Sequence, residues 1–458
     1  MLFNRNRLPE LVERSQTGPY MKESDYDRLI FQTCKDLARK YNIVFSKEVI
    51  IPDDDHLADR LWEAGLELFL AAGVYQMDTG RVIKFSPAEV EQAVRCAPKK
   101  VVLGMGRDAG IMQARKVEDT ERPTITSGPT GTPCSEKYYP AILLSYAREP
   151  VVDFLGGGSV ATVDGKEVIP GSPLELQAAK RDAIVARDAA RRASRPLMHI
   201  NDAATPLTCA GKMAASDPGT GLRPSDGRLV SQMNELKTNY DQLARVEHLH
   251  DYGSYIVNLM CPLIGGIGGG PEGTAILSIA THLLGVVCYD ATYHFFSHTH
   301  IRYRNNTDRW GLWIQAVVAQ ALARNAQILA VNDIYCVSGP GTRELFYEVA
   351  AGAVVGTVCG MHIQGAGCTG GTLTDHYCGM DSRFMGEAAY AAVGMSRPEA
   401  NEIILKLLPV YEQTLENPNM GKPFAEVYDP VTVEPRPELV ELYEGTKKEL
   451  RILGLPMF

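Results

Sequence analysis

From residue 100 onward, short apolar runs alternate with longer amphipathic stretches, and this alternation limits the possible folds more than any other feature. The apolar runs predict strands at 101–103, 124–126, 151–155, 197–201, 255–260, 298–303, 328–333 and 362–364. Helical periodicity is found at 174–192, 235–250, 273–288, 308–325 and 342–358. Such alternation predicts a parallel sheet, and about eight strands predict its closure into a (β/α)8 barrel of the TIM type. An open doubly wound sheet is the alternative.

The barrel prediction divides the chain into three parts. Residues 1–98 form a predicted N-terminal helical segment packed on the barrel, residues 99–396 the barrel with its active site, and residues 397–458 a C-terminal helical extension. Segments 86–89, 172–175 and 396–399 each combine a serine, a proline and a glutamate three residues after the serine. This pattern predicts a helix start with a capping box.

Composition and charge restrict the classes of partner. The 458 residues carry a net charge of −9, from 46 basic and 55 acidic side chains, and contain no basic run typical of nucleic-acid binding. We expect no membrane association, because the N-terminus lacks an apolar signal region and no apolar stretch reaches about 18 residues. The ten cysteines contain no C-x-x-C pair and are expected to be reduced thiols, which is typical of a cytoplasmic protein.

A basic row at 298–304 is the first candidate site. If this segment is a strand, its period-two pattern places His298, His300, Arg302 and Arg304 on one face. Two guanidinium groups there predict a wall that binds a carboxylate, whereas the plainer alternative is a salt-bridge network or a strand end in solvent. The two histidines are also a possible zinc or iron pair, as in barrel hydrolases, with His282 and His294 as further ligands. We favour a site without metal.

A second candidate lies at the end of the strand predicted at 328–333. Asp333 and Tyr335 share one face of the chain there. A carboxylate at a barrel strand end is suited to holding a cationic nitrogen, although an aspartate that caps the following turn has the same sequence pattern. The glycine-rich segment 265–270 lacks the spacing of a dinucleotide-binding loop and is predicted to form a flexible rim loop.

The segment Ser-Arg-Pro-Leu-Met-His-Ile-Asn-Asp, residues 194–202, carries a family resemblance. It is similar to a Gly-Arg-Pro-x-Met-x-x run of the monomethylamine:corrinoid methyltransferases, which ends in pyrrolysine, the residue thought to hold methylamine. Asn201 stands at the pyrrolysine position, with Asp202 beside it. The resemblance extends over nearly the whole chain, and it implies a barrel fold and a homo-hexamer.

Departures from the family pattern suggest a changed substrate. Leu229 and Leu259 stand where the family has glutamates around its pyrrolysine ring, and Asp333 stands where it has glutamine. His300, Arg302 and Tyr335 match the family, whereas Arg304 replaces a small residue. The expected catalytic residues are Asn201, Asp202, Asp333 and Tyr335. The expected substrate-binding residues are His199, Leu259, His298, His300, Arg302 and Arg304.

By resemblance, the chain is expected to move a methyl group from an N-methylated substrate to the Co(I) of a separate corrinoid protein. Loss of pyrrolysine favours a betaine or an N-methyl amino acid over monomethylamine, with no tightly bound cofactor in this chain. Three alternatives stay open at this point. They are a metal-dependent barrel hydrolase, a monomethylamine methyltransferase that acts without pyrrolysine, and a non-catalytic partner of the corrinoid protein.

Overall fold

Eight parallel strands close into a barrel in the structure, a computed structural model that describes residues 7–130, 132–202 and 207–458. Neighbours in the barrel are also neighbours in the sequence, so the strands are numbered β1 to β8 around it. Their bounds are Ile125–Ser127, Phe154–Gly156, Ile200–Asn201, Gly227–Ser231, Tyr255–Met260, Tyr293–Phe296, Ala330–Tyr335 and His362–Gly367. The predicted barrel is therefore confirmed, and the open doubly wound sheet is excluded.

A helix follows each barrel strand, as the alternating pattern predicted. Helices α1 to α4 precede the barrel, α5 to α12 alternate with its strands, and α13 to α15 follow it. Their bounds are Arg7–Thr17, Glu23–Lys40, Asp55–Ala72, Pro87–Cys96, Tyr139–Ala147, Pro173–Arg192, Cys209–Ala215, Tyr240–Tyr252, Pro271–Cys288, Arg309–Asn325, Arg343–Cys359, Gly379–Ala391, Arg397–Tyr411, Phe424–Val427 and Pro437–Leu453.

The N-terminal and C-terminal helices cover the outside of the barrel. Helices α2 and α3 pack on α9, and α3 also packs on α10, while α13 and α15 pack on α11. Helix α9 is the one helix of the described ranges that is long and apolar enough to cross a membrane, and 94% of it is buried inside the fold. Burial of this kind is typical of a core helix. The division at residues 98 and 396 stays a prediction.

Short strands outside the barrel form hairpins and small ladders. They are Val74–Gln76, Arg81–Ile83, Lys100–Leu103, Gly110–Gln113, Pro133–Cys134, Ser159–Val160, Thr162–Val163, Lys166–Glu167, Lys237–Thr238, Leu263–Ile264, Thr299–His300, Tyr428–Asp429 and Glu434–Pro435. The hairpin of Lys100–Leu103 and Gly110–Gln113 packs Leu103 and Met112 against the apolar interior of the barrel. The strand predicted at 101–103 is thus real, but it lies outside the barrel.

The strand predicted at 298–303 is wrong. Barrel strand β6 ends at Phe296, and only Thr299–His300 forms a short ladder beyond it. The backbone N–H of Arg304 donates to the carbonyl of His300 at 2.7 Å, and Arg304 has a φ of 61°, so the chain turns here. The alternating polar residues therefore lie in a loop and share no strand face.

Strand β4 was missed by the sequence analysis. Its residue Arg228 points away from the barrel interior and is fully buried in an ion cluster. The polar residue of this strand therefore does not face solvent, and the alternation of buried and exposed residues that indicates a strand is missing. The capping boxes at Ser86 and Ser396 are confirmed. At Ser172 the helix begins as predicted, but the capping box is absent, because Glu175 accepts from the backbone N–H groups of Gly171 and Thr208 instead.

Candidate active site

A small cavity of about 100 Å³ lies at the carboxyl ends of the barrel strands. This end of a parallel barrel is where barrel enzymes place their active sites, because the loops after all the strands meet there. All eight strands, or the loops directly after them, contribute to its wall. The lining residues are Thr130, Gly156, Gly157, Asn201, Asp202, Leu229, Leu259, Phe295, Asp333, Tyr335 and Gln364.

Asp333 provides a buried carboxyl group to this cavity. It points inward from β7 and is 1% exposed. Its Oδ2 atom accepts a hydrogen bond from Ser297 at 2.6 Å, while Oδ1 makes no hydrogen bond of normal geometry to any residue the structure describes. Burial raises the pKa of Asp333 to about 7, and the polar groups of Ser297 and Gln364 oppose this rise. The carboxyl group therefore changes charge near neutral pH.

Tyr335 and Gln364 flank the Asp333 carboxyl group. The Tyr335 hydroxyl donates to the carbonyl of Thr130 at 3.2 Å, and burial raises its pKa well above the usual value, so the phenol is neutral. Gln364 is the register partner of Asp333 on β8. Its side-chain oxygen Oε1 is buried and has no hydrogen-bond partner within the described ranges.

Asn201 lies at the end of β3, where the sequence analysis placed the substrate-binding position. Its Oδ1 atom accepts a hydrogen bond from the Tyr293 hydroxyl and lies 3.2 Å from His199 Nε2. The amide nitrogen Nδ2 has no partner among the residues described. Asn201 is 1% exposed. Its two ring partners, Tyr293 and His199, contact it from the interior of the barrel.

His199 supports Asn201 from inside the barrel. Its Nδ1 atom lies 2.7 Å from the carbonyl of Ser225, and its Nε2 atom lies 2.9 Å from the Tyr293 hydroxyl. Burial lowers the pKa of His199 to about 4, so the ring is neutral. His199 was predicted to contact substrate, but it is not among the residues that line the cavity.

Asp202 belongs to a buried ion cluster at the edge of the cavity. Its Oδ2 atom lies 2.6 Å from Lys212 Nζ and 3.0 Å from Arg228 Nε, and its Oδ1 atom accepts from the backbone N–H of Leu229 at 2.7 Å. Both carboxylate oxygens are therefore engaged. This geometry supports a positioning role, in which Asp202 joins the end of β3 to β4, more than the catalytic role that we expected.

Apolar and aromatic side chains form the rest of the wall. Leu229, Leu259 and Phe295 line the cavity from three successive strands. The two leucines occupy the positions where the family resemblance implies glutamates. One side of the cavity is therefore apolar, and the polar groups of Asp333 and Gln364 lie on the other side.

The two histidines of the basic row lie outside the cavity. His298 is stacked on Phe296 at 4.3 Å between ring centroids, and its Nε2 atom is 2.8 Å from the carbonyl of Gly311 on α10. His300 is stacked on Tyr303 at 4.6 Å. Within the described residues, no group of three or more histidine, cysteine, aspartate or glutamate side chains is arranged to hold a metal ion. His298 and His300, which were predicted to bind substrate, are therefore not among the residues that line the barrel cavity.

The structure places Arg302 and Arg304, the predicted carboxylate-binding wall, away from the barrel cavity. Both arginines line a separate surface depression of about 300 Å³ instead of the barrel cavity. Arg302 is 63% exposed and pairs with Glu416. The reason is the loop at 301–304, which replaces the strand on which the prediction depended.

The sequence analysis did not assign several of the lining residues to the site, among them three with side chains that border the cavity. Gln364, Phe295 and Thr130 all line the cavity. Gln364 lay at the end of a correctly predicted strand and would have been found by applying the two-residue period to 362–364. Phe295 was not found, because the strand predicted at 298–303 begins after the actual strand β6 has ended.

A closed parallel barrel with a partly polar cavity at its carboxyl end defines a barrel enzyme. The sequence pattern of the family described as "Monomethylamine methyltransferase MtmB" matches residues 8–455, and the chain belongs to this family. It is 34% identical to monomethylamine methyltransferase MtmB2 of Methanosarcina acetivorans over 448 residues, which is 97% of each chain. It is likewise 34% identical over 448 residues, again 97% of each chain, to MtmB1 of Methanosarcina barkeri.

Solved structures agree with this assignment. The crystal structure of the Methanosarcina barkeri monomethylamine methyltransferase superimposes with a TM-score of 0.95 at 34% identity and covers 98% of both chains. A structure of the hydroxylamine MtmB complex matches with the same TM-score of 0.95, 34% identity and 98% coverage of both chains. The resemblance stated from residues 194–202 is thus confirmed.

Proposed function

We propose that this protein transfers a methyl group from a small N-methylated cation to the Co(I) of a partner corrinoid protein. The substrate is a betaine or an N-methyl amino acid and not monomethylamine. The observation that carries this proposal is the buried carboxyl group of Asp333 in a cavity with an apolar wall at the carboxyl end of the barrel. Membership of a methyltransferase family supports the reaction type.

The reaction is a displacement at the methyl carbon. The carbon–nitrogen bond breaks, its electron pair stays on the nitrogen, and a new carbon–cobalt bond forms as Co(I) becomes Co(III). Because an ammonium nitrogen leaves as a neutral amine, the enzyme does not have to supply a proton. Its task is to hold the cation in place and to exclude water from it.

The residues of the cavity suit this task. An ionised Asp333 attracts the positive charge of the bound substrate, and this attraction is strong because the group is buried. The faces of aromatic rings also attract alkylated cations, and Phe295 and Tyr335 both border the cavity. Leu229 and Leu259 provide apolar surface for the methyl group. The corrinoid has to approach from the open carboxyl end, since the hairpin of Leu103 and Met112 packs into the other end.

The change of substrate follows from Asn201. A carboxamide is a poor electrophile, so it cannot form the covalent adduct with methylamine that is attributed to pyrrolysine. The acidic partners are also replaced, because Leu229 and Leu259 stand in their positions. We further propose that the protein acts in the cytoplasm as a homo-hexamer, as the family resemblance implies.

A screen of N-methyl compounds tests the proposal. The purified protein is mixed with reduced cobalamin and each compound, and formation of methylcobalamin is followed by absorbance. We expect transfer from at least one betaine or N-methyl amino acid, with loss of most of the activity in Asp333→Asn. Asp290→Asn is the matched control, because Asp290 also has a pKa raised by burial, to about 6, but lies outside the cavity.

Three outcomes would contradict the proposal. If no N-methyl compound methylates free cobalamin or a corrinoid protein, the protein is not a corrinoid methyltransferase. If Asp333→Asn and Asp290→Asn both keep full activity, the substrate cation is not held by Asp333. A stoichiometric metal ion in the purified protein, required for hydrolysis of a test substrate, would favour the barrel hydrolase.

A further inference from the structure

We infer that the methylated nitrogen of the substrate carries hydrogen, so that the methyl donor is an N-methyl amino acid and not a quaternary betaine. This inference depends on the proposed function and chooses between its two substrate classes. It is based on the unpartnered polar atoms that line the barrel cavity.

Two buried acceptor atoms lie side by side on neighbouring strands. Asp333 and Gln364 are register partners on β7 and β8 and both line the cavity. Asp333 Oδ1 and Gln364 Oε1 each lack a hydrogen-bond donor of normal geometry in the described part of the chain. Asp333 is 1% exposed and Gln364 is 7% exposed, so both groups are shielded from bulk solvent and face the cavity. Buried acceptors are normally satisfied, so a ligand that donates to both is expected.

The side chains of Ser297, Tyr335 and Thr126 do not supply these hydrogen bonds. The Ser297 hydroxyl donates to the other oxygen of Asp333, and the Tyr335 hydroxyl donates to the carbonyl of Thr130. The hydroxyl of Thr126, which is paired with Gln364 across β1 and β8, makes no hydrogen bond to it in the structure. The Gln364 side chain also acts on Asp333 by hydrogen bonding and so opposes the rise of its pKa that burial causes. By distance and angle, neither Asp333 Oδ1 nor Gln364 Oε1 has a donor among the described residues, so a ligand in the cavity can donate to both.

A quaternary ammonium cannot satisfy this pair of acceptors. Its nitrogen carries four carbon groups and no hydrogen, so Asp333 Oδ1 and Gln364 Oε1 would stay unpaired with a desolvation cost. A secondary N-methylammonium carries two N–H groups, one for each acceptor. Its transfer reaction also balances without a further reactant, since the nitrogen keeps the electron pair and leaves as a neutral primary amine.

The opposite side of the cavity presents a donor. Strand β3 lies four strands from β7 in the closed order of eight, so Asn201 lies across the barrel from Asp333. The Asn201 Nδ2 atom is buried and has no acceptor within the described ranges. A carboxylate is a strong acceptor for such a group. An ammonium at one end and a carboxylate at the other describe an N-methyl amino acid.

Four compounds test the inference. They are N-methylglycine, N,N,N-trimethylglycine, dimethylamine and tetramethylammonium, each measured for methyl transfer to reduced cobalamin and for binding by calorimetry without cobalamin. We expect N-methylglycine to bind and react best, at least tenfold better in kcat/KM than trimethylglycine. Dimethylamine should be weaker because it lacks the carboxylate, and tetramethylammonium should be weakest.

Substitutions at Gln364 separate the role of its acceptor from general destabilisation. Gln364→Met removes the oxygen at similar length and should raise the KM for N-methylglycine about tenfold, whereas Gln364→Glu keeps an acceptor and should retain binding. Gln315→Met is the matched control. Gln315 on α10 also has a buried Oε1 without a partner in the described chain, but it lies outside the cavity.

The failures of the inference and of the proposed function are distinguishable. Better transfer from trimethylglycine than from N-methylglycine would overturn the inference and leave the proposed function intact. Equal activity of dimethylamine and N-methylglycine would overturn the part that concerns the carboxylate. Absence of transfer from all N-methyl compounds, with no calorimetric binding, would overturn both.

Discussion

Asp333 and Gln364 occupy paired positions on neighbouring barrel strands, and both side chains line the same buried cavity. Their pairing places a titratable carboxyl group and an amide oxygen where the loops of the barrel converge. Charge and hydrogen bonding at this pair are thus linked, because a cation that binds to one group also contacts the other. The first two predictions below depend on the charge of Asp333.

Activity should depend on pH through Asp333. Burial raises the pKa of this carboxyl group to about 7, so in the free enzyme it is ionised above that pH and neutral below it. An ionised group attracts the cationic substrate, so kcat/KM should rise with pH and level off above about 7, falling roughly tenfold per pH unit below it. Asp333→Asn should remove this limb from the profile. A profile that is flat between pH 6 and 8 in the wild type would contradict the assignment.

Stability should depend on pH through the same residue, with the opposite sign. The pKa of Asp333 is raised in the folded state, so between its unfolded value and about 7 the folded protein binds more protons than the unfolded chain. The contribution of Asp333 to stability is therefore present at low pH and is lost as the pH rises through about 7. Asp333→Asn should be more stable than the wild type at pH 8. Thermal melts should show this difference shrinking towards pH 5.

The ion cluster of Asp202 should be structural. Its carboxylate is shared by Lys212 and Arg228, which are both buried, so Asp202→Asn removes the negative charge that both cations contact. Breaking such a buried pair costs about 3–5 kcal/mol, which denaturant unfolding would detect. Lys212→Met, which removes one of the cations instead of the carboxylate, should be destabilising as well. If Asp202→Asn keeps the wild-type free energy of unfolding but loses more than a thousandfold in kcat, Asp202 is catalytic.

Arg302 should not determine affinity for the substrate. Its side chain is 63% exposed, pairs with Glu416, and lines a depression separate from the barrel cavity. Exposed ion pairs contribute about 0–1 kcal/mol, so Arg302→Ala should lower the free energy of unfolding by at most about 1 kcal/mol. Because Arg302 lies outside the barrel cavity, KM should change by less than about fivefold. Steady-state kinetics with the donor found in the screen would check this. A tenfold rise in KM would restore the carboxylate-binding role that the sequence analysis gave to Arg302.

The outcome of the sequence analysis differs between the barrel and its site for physical reasons. Apolar strands followed by amphipathic helices predicted the barrel, because burial on both sides imposes that pattern on the strands of a parallel sheet. Strand β4 was missed because the buried Arg228 interrupts its apolar run. Alternating polar residues at 298–304 predicted a strand, but the chain turns there. The prediction was wrong because such alternation also occurs by chance in loops. Asp333 was found because it ends a long apolar run.

Asn201 should make the protein inactive towards monomethylamine. Its Oδ1 atom already accepts a hydrogen bond from Tyr293, and the carboxamide is too weak an electrophile to be attacked by an amine at neutral pH. We therefore expect no increase in intact mass after incubation with methylamine, and no methylcobalamin from methylamine above the rate without enzyme. The mass measurement is independent of activity and of the corrinoid partner. Asn201→Ala should behave like the wild type towards methylamine, because neither side chain forms an adduct. Methylamine-dependent methylation of a corrinoid by the wild type, lost in Asn201→Ala, would show that this family member uses monomethylamine without pyrrolysine.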